Sequence, residues 1–160
     1  MTTIATLGSH CALQVLKGAK DEGLKTILIC ERKREKLYRR FSFIDELLLV
    51  DSFTEILEQK NQSILEKKDT VLIPHGTLIA QMNSEQIESI KVPIFGNKWI
   101  LRWESDRTMK EKLMREAKLP VPKPVLDSKD IDSLVIVKRQ GAAGGKGYFL
   151  SSNQDEYNKK

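Results

Sequence analysis

Four glycines, Gly141, Gly144, Gly145 and Gly147, fall within seven positions of this chain, with Lys138 just before them and Lys146 among them. A run of this kind exposes backbone N–H groups that can fold over phosphate oxygens, and each lysine adds a point charge to the same anion. Three familiar patterns do not fit it. A P-loop requires glycine five places before Gly145 and Ser or Thr after Lys146, where this chain has Gln140 and Gly147. A dinucleotide fingerprint requires a third glycine where Leu150 stands, and it opens a helix rather than a strand. An RNA-recognition strand requires a small residue where Phe149 stands. Two readings are left, a phosphate-covering tip between two strands and a plain hairpin turn.

The second candidate centre lies near the start of the chain. Of the two histidines, His10 ends "GSH" after the apolar run "TIATL", and His75 opens "HGT" after "TVLIP". In an open parallel sheet, ligands gather at the carboxyl ends of the strands, and both histidines fall there. Gly8 and Ser9 precede a helix N-terminus, whose free N–H groups favour an anion. Gly76 and Thr77 add donors that suit a phosphate or a carboxamide. A lone loop histidine is ordinarily polar surface; a pair at matching strand ends is a stronger candidate. Residues 32–40, "RKREKLYRR", hold six basic residues in nine. They read as a solvated helix face with Leu37 and Phe41 turned inward, or as a basic rim that attracts an anionic substrate. Nucleic acid is disfavoured, because aromatics are sparse and Glu31 and Glu35 dilute the patch. Glu31, directly after a strand, mimics the acidic ribose ligand of NAD folds, but the first turn has one glycine rather than three.

The elements that must position these groups follow from apolar patterning. "TIATL" (3–7), "KTILIC" (25–30), "ELLLVD" (46–51), "TVLIP" (70–74) and "VPIFG" (92–96) read as strands. A helix over 11–22 puts Ala12, Leu13, Val15, Leu16 and Ala19 on one face, with Gly23 as its stop. A further helix is predicted from Phe53. Strands of nearly unbroken Val, Ile and Leu separated by helices indicate a parallel sheet covered on both faces. From residue 104 the pattern changes. Ser105 or Asp106 caps an amphipathic helix that runs to about Ala117, and Pro120, Pro122 and Pro124 make an extended linker. "SLVIVKR" and "GYFL" then read as antiparallel strands around the glycine loop, and Ser152 or Asn153 caps a last helix. The tryptophan-bearing stretch 95–107 reads as interdomain packing. The expected division is a sheet domain over 1–103, a helix and Pro-rich linker over 104–124, and a hairpin with its loop over 125–160. A two-strand hairpin with half a helix cannot bury a core of its own, so the chain is expected to be the front part of a longer protein.

The totals agree with a globular protein of one domain or slightly more: 40% hydrophobic, 31% charged and a net charge of +5. Cys11 and Cys30, with no CxxC and no His/Cys cluster, read as reduced core thiols of a cytoplasmic protein. No apolar run approaches membrane-helix length, and no signal peptide is expected.

The order "SDRTMKEKLMREAKLPVPKP…VIVKRQGAAGGKGYFL" resembles the entrance to an ATP-grasp domain. "ATLGSHCALQVLKGAKDEG", "ICERKREKLYRRF", "IPHGT", "PIFGNKWILRWESDR" and "GGKGYFL" extend the likeness over nearly the whole chain, and it is most similar to the archaeal-type formate-dependent ligases of purine synthesis. The resemblance implies an α/β fold, with an open parallel Rossmann-like (pre-ATP-grasp) sheet domain followed by the start of an ATP-grasp domain. It implies that Lys138, Gly141, Gly144, Gly145, Lys146 and Gly147 contact ATP. Arg107 stands where the family often has a phosphate-side lysine. His10 and Thr77, with Gly8 and Ser9 beside them, would contact a nucleotide substrate, the aminoimidazole carboxamide ribonucleotide AICAR. The implied reaction phosphorylates formate with ATP, and the AICAR amine then attacks formyl phosphate to give the formamido product FAICAR. Such chemistry rests on positioning and charge neutralisation. Mg²⁺ is the implied metal, with its carboxylate ligands expected beyond residue 160, so no metal site is assigned here and this stretch alone is expected to be inactive. The expected partners are the small molecules AICAR, formate and ATP, with no nucleic acid and no membrane; a homo-oligomer is compatible with the sequence. Two alternatives stand beside this reading: another ATP-grasp carboxylate–amine ligase, and a non-catalytic nucleotide-binding module.

Overall fold

The computed structural model describes residues 2–138 and 148–160. The chain forms two compact units, Met1–Arg102 and Trp103–Lys160.

The first unit is built on four strands, β1 (Thr3–Leu7), β2 (Lys25–Glu31), β3 (Glu46–Val50) and β4 (Thr70–Leu72), in the order β3-β2-β1-β4. All three pairings are parallel, with Thr3 opposite both Lys25 and Thr70, and Ile27 opposite Glu46. Side chains alternate across a strand, and β2 feeds two cores. Ile27 and Ile29 point to one face, with Ala5, Leu7, Val50 and Leu72. Leu65 of α3 (Gln59–Lys67), Leu78 of α4 (Gly76–Gln81) and Ile87 of α5 (Ser84–Glu88) cover that face. Leu28 and Cys30 point to the other, under Ala12 and Leu16 of α1 (Ala12–Asp21) and Tyr38 of α2 (Glu35–Tyr38). Ile27, Leu28 and Ile29 are each 2% exposed or less. Burial of such a side chain stabilises by about 1.5–3 kcal/mol, so this sheet dominates the unit's stability.

The structure departs from the sequence pattern at four places. The run 92–96 is not a strand: Ile94 alone bridges Leu72, with Leu72 N–H donating to Pro93 O (2.8 Å) and Phe95 N–H to Leu72 O (2.8 Å). Pro93 has no N–H, which keeps this segment at the sheet edge. β4 stops at Leu72, two residues early. The segment from Phe53 is a 3₁₀ turn over Phe53–Leu57 with a Ser52/Glu55 capping box, and α3 begins only at Gln59. In the basic run, Leu37 is 48% exposed, and Tyr38 (5%) is the residue turned inward. A 3₁₀ turn over Arg32–Arg34 precedes α2, and its tighter winding advances the phase of the inward face.

In the second unit, α6 (Ile100–Ser105) enters from the first and α7 (Arg107–Glu116) follows it. The Asp106 carboxylate caps α7 by accepting from the N–H groups of Thr108 (2.8 Å) and Met109 (3.1 Å). β5 (Val135–Lys138) and β6 (Tyr148–Ser151) pair antiparallel, Val135 with Ser151 and Lys138 with Tyr148. Asn153 caps α8 (Gln154–Asn158), and Phe149 packs against Tyr157 with ring centroids 5.8 Å apart.

Candidate functional site

The strand order places one feature that patterning alone does not. The chain runs from β1 outward through β2 to β3, then returns to lay β4 on the other side of β1. The crevice at the carboxyl ends of β1 and β4 is therefore a topological switch point, where open parallel sheets take their ligands. His10 follows β1 and His75 follows β4. Their rings meet edge to face with centroids 6.4 Å apart.

The two imidazoles are held differently. His75 caps α4: its Nδ1 accepts from the Thr77 N–H (3.3 Å), so its Nε2 carries the proton, which it donates to Leu7 O (3.0 Å). Both nitrogens are spent on tying the β4–α4 turn to the end of β1. His10 is exposed, and its Nδ1 lies 2.8 Å from Ser9 Oγ and 3.1 Å from Thr77 Oγ1. Its Nε2 has no protein partner among the described residues. Ser9 is 7% and Thr77 6% exposed, and both hydroxyls meet the ring at its Nδ1 edge.

The loop between β1 and α1 is fixed by its backbone. Gly8 N–H donates to Ile29 O (2.7 Å), continuing the β1–β2 ladder by one residue. A Cβ on Gly8 would lie 3.2 Å from Ile29 O and 3.2 Å from Tyr38 Cε2, tight enough that a side chain here would push on the strand backbone or the Tyr38 ring, so packing favours glycine. The N-cap of α1, Cys11, makes no side-chain cap, and the first N–H of that helix, on Ala12, donates to Ser9 O (2.8 Å), which closes the β1–α1 loop on itself. Thr6 Oγ1 donates to Ile73 O (2.9 Å) and secures β1 to the chain leaving β4.

One contributor lies hidden in the basic run. Arg34 donates from a guanidinium N–H to Gly8 O (3.2 Å), with its Nε 3.8 Å from the Glu31 carboxylate. The basic segment thus reaches the β1–α1 loop through Arg34, while Arg32 pairs with Asp51 (3.1 Å) and Arg39 with Glu35 (2.6 Å). The sequence signal was the position of Arg34, three residues past the end of the strand beside β1.

The residues expected to meet ATP are less fully described. Lys138 is the last residue of β5, exposed and opposite Tyr148. Gly141, Gly144, Gly145, Lys146 and Gly147 lie outside the described residues. Arg107 is the first residue of α7. Among the described residues, no three His, Cys, Asp or Glu side chains gather as a metal site. No helix among them is long and apolar enough to cross a membrane.

Comparison with known proteins adds to this geometry. The chain is 76% identical over 160 residues to the 5-formaminoimidazole-4-carboxamide-1-(beta)-D-ribofuranosyl 5'-monophosphate synthetase of Nitrosopumilus maritimus, covering 100% of this chain and 47% of that protein. It is 47% identical over 159 residues to the Methanocaldococcus jannaschii protein of the same name, covering 99% of this chain and 44% of the other. The chain thus spans about half the length of the curated relatives it matches. Among solved structures, an IMP biosynthesis protein PurP from Thermococcus kodakaraensis superposes with a TM-score of 0.69 at 29% identity, over 92% of this chain and 48% of that one. N5-carboxyaminoimidazole ribonucleotide synthetase from Thermotoga maritima superposes at 0.71 with 16% identity, over 99% and 43%, a likeness of fold alone. The fold class is the one the resemblance implied, an open parallel sheet domain followed by the start of an ATP-grasp domain. Residues 4–125 match the family described as a protein of unknown function, DUF1246, and the chain belongs to that family.

Proposed function

We propose that this chain is the nucleotide-binding front of a ligase that converts AICAR to FAICAR with ATP and formate, releasing ADP and phosphate. The observation that carries the reading is the 76% identity, sustained over all 160 residues, to a synthetase named for that product. The switch-point crevice supports it: it offers an exposed imidazole at His10 whose Nε2 has no protein partner among the described residues, with two hydroxyls against its Nδ1. Those groups suit a phosphorylated nucleotide bearing a carboxamide. In this reading His10 and Thr77, flanked by Gly8 and Ser9, hold AICAR. Arg107, Lys138, Lys146 and the glycines of 141–147 hold the ATP phosphates. When bound, Mg²⁺ neutralises phosphate charge, and no residue described here is assigned to it. ATP and Mg²⁺ are the cofactors, AICAR and formate the small-molecule substrates, and the cytoplasm the compartment.

The contribution of this chain is placement. Bringing an amine and an activated acid together in a fixed geometry is worth several kcal/mol of barrier without any covalent help from the protein. The domain organisation fits that task, with a substrate-binding sheet over 1–103, a connecting helix and linker over 104–124, and a phosphate-side hairpin over 125–160.

A chimaera tests the proposal. Residues 1–160 replace the corresponding stretch of the Nitrosopumilus maritimus synthetase, and FAICAR is followed from AICAR, formate and ATP. The expected result is product at a rate within about tenfold of the parent enzyme. A folded chimaera that makes no FAICAR while the parent does would overturn it.

A further inference from the structure

The hydrogen-bond inventory around His10 bears on which of its ring nitrogens carries the proton. Ser9 and Thr77 are 7% and 6% exposed, so their hydroxyl protons need an acceptor. Among the described residues, the His10 Nδ1 is the one acceptor within reach of either hydroxyl, at 2.8 Å and 3.1 Å. Had Nδ1 carried the proton, both hydroxyls would accept and both of their protons would be stranded. An unmade bond of that kind costs about 1–3 kcal/mol for each buried group. The other arrangement gives both hydroxyl protons an acceptor, the Nδ1 lone pair, with Ser9 as the shorter bond (2.8 Å) and Thr77 as the longer (3.1 Å) of a bifurcated pair. His75 next to it adopts the same form for an independent reason, the Thr77 N–H aimed at its Nδ1.

We infer that Ser9 and Thr77 hold His10 as the neutral tautomer protonated on Nε2, so that His10 presents a hydrogen-bond donor to the bound nucleotide and takes no proton from it. Ser9 then acts as a positioning residue through His10. The group His10 recognises is an acceptor oxygen, and AICAR has two sources of one, the carboxamide carbonyl and the 5'-phosphate. The exocyclic amine, which must lose a proton during formyl transfer, is not its partner. The assignment of the tautomer stands on the geometry alone; the identity of the ligand rests on the function proposed above.

Two measurements separate these layers. ¹⁵N-detected imidazole spectra of the ¹⁵N-histidine-labelled chain, recorded without ligand at pH about 8, above the ordinary imidazole range, report the tautomer directly. His10 is expected to show an unprotonated, hydrogen-bonded Nδ1 and a protonated Nε2. In a Ser9→Ala, Thr77→Val double variant, the Nδ1 signal is expected to move to the position of a free acceptor. A protonated Nδ1 in the unsubstituted chain, or a signal unmoved in a folded double variant, overturns the inference. The unsubstituted spectrum decides the point even if the variant does not fold. The second measurement is binding of AICAR and of its nucleoside, which lacks the phosphate, to the chain and to its Ser9→Ala, His10→Gln and His10→Ala forms. Ser9→Ala is expected to weaken AICAR about three- to tenfold, and His10→Gln, which keeps a donor at its tip, to bind more tightly than His10→Ala. If the nucleoside keeps the His10→Ala penalty, the carbonyl is the partner; if the penalty vanishes, the phosphate is. His10→Gln binding no better than His10→Ala would contradict the donor role. Absence of AICAR binding by the unsubstituted chain would count against the proposed function and leave the spectroscopic result standing.

Discussion

Thr77 Oγ1, in the first turn of α4, lies 3.1 Å from Nδ1 of His10, a residue 67 positions earlier in the chain. The contact exists because β4 returns beside β1, and it joins two short motifs, "GSH" and "PHGT", into one crevice.

Gly8 and Gly18 are opposite cases. A Cβ at Gly8 would meet Ile29 O, which cannot retreat because it already accepts the Gly8 N–H, and the buried ring of Tyr38. Gly8→Ala is expected to destabilise by about 1–3 kcal/mol in urea unfolding. Gly18, inside α1 with nothing within 4 Å of its would-be Cβ, is expected to gain about 0.5–1 kcal/mol as Gly18→Ala. Equal effects at the two sites would contradict the packing described.

Gln62 is 1% exposed, donates to Ile56 O and accepts the Lys91 N–H at 2.8 Å. It clamps the edge segment that bridges β4. Gln62→Leu keeps the volume but orphans the buried Ile56 carbonyl and removes the acceptor of the Lys91 N–H, and a loss of about 1–3 kcal/mol is expected. A change under about 0.5 kcal/mol would mean that water replaces the clamp.

The Asp45 carboxylate is partly desolvated, which alone would raise its pKa; hydrogen bonds from Lys20 and from the N–H and hydroxyl of Thr26 outweigh that and hold it below the usual 3.8. A carboxylate depressed in the folded state stabilises above its unfolded pKa and loses that contribution as pH falls through the folded value. Asp45→Asn is therefore expected to be less stable than the parent chain at pH 7, with the difference vanishing in the acid range below 3.8. A difference constant down to pH 2 would contradict this.

Of the two thiols expected in the core, only Cys30 is there: Cys11 is exposed because it is the N-cap of α1, outside the helix's buried face, whereas Cys30 is buried in β2 and its thiol pKa is pushed up, first by that burial and then by Glu35. One thiol per chain is expected to react with a maleimide in the folded state, and the second only in denaturant. Two thiols reacting at similar rates in the folded chain would contradict the core arrangement.

Much of this scaffold is legible in the residues themselves. The run "KTILIC" reads as a two-sided buried strand, and β2 is one, because every position of it from Thr26 to Cys30 has a neighbour on one face or the other. Strand order is not legible, since it depends on which runs pair across the sheet rather than on any local pattern. For that reason the meeting of His10 with Thr77, and the separate tie of His75 to Leu7, emerge only from the structure. Leu37 and Tyr38 show how a short 3₁₀ turn shifts a helical face by a residue without any mark in composition. Arg34 was visible as one charge among six, and only its contact with Gly8 O distinguishes it from its neighbours.

The central claim is that the His10 crevice binds the aminoimidazole carboxamide ribonucleotide. Titration calorimetry of AICAR against the folded chain and its His10→Ala form tests it most directly. The expected result is saturable binding by the chain, weakened about tenfold by the substitution, the effect of losing one hydrogen bond of about 1.4 kcal/mol. Equal affinities for the two proteins would contradict it.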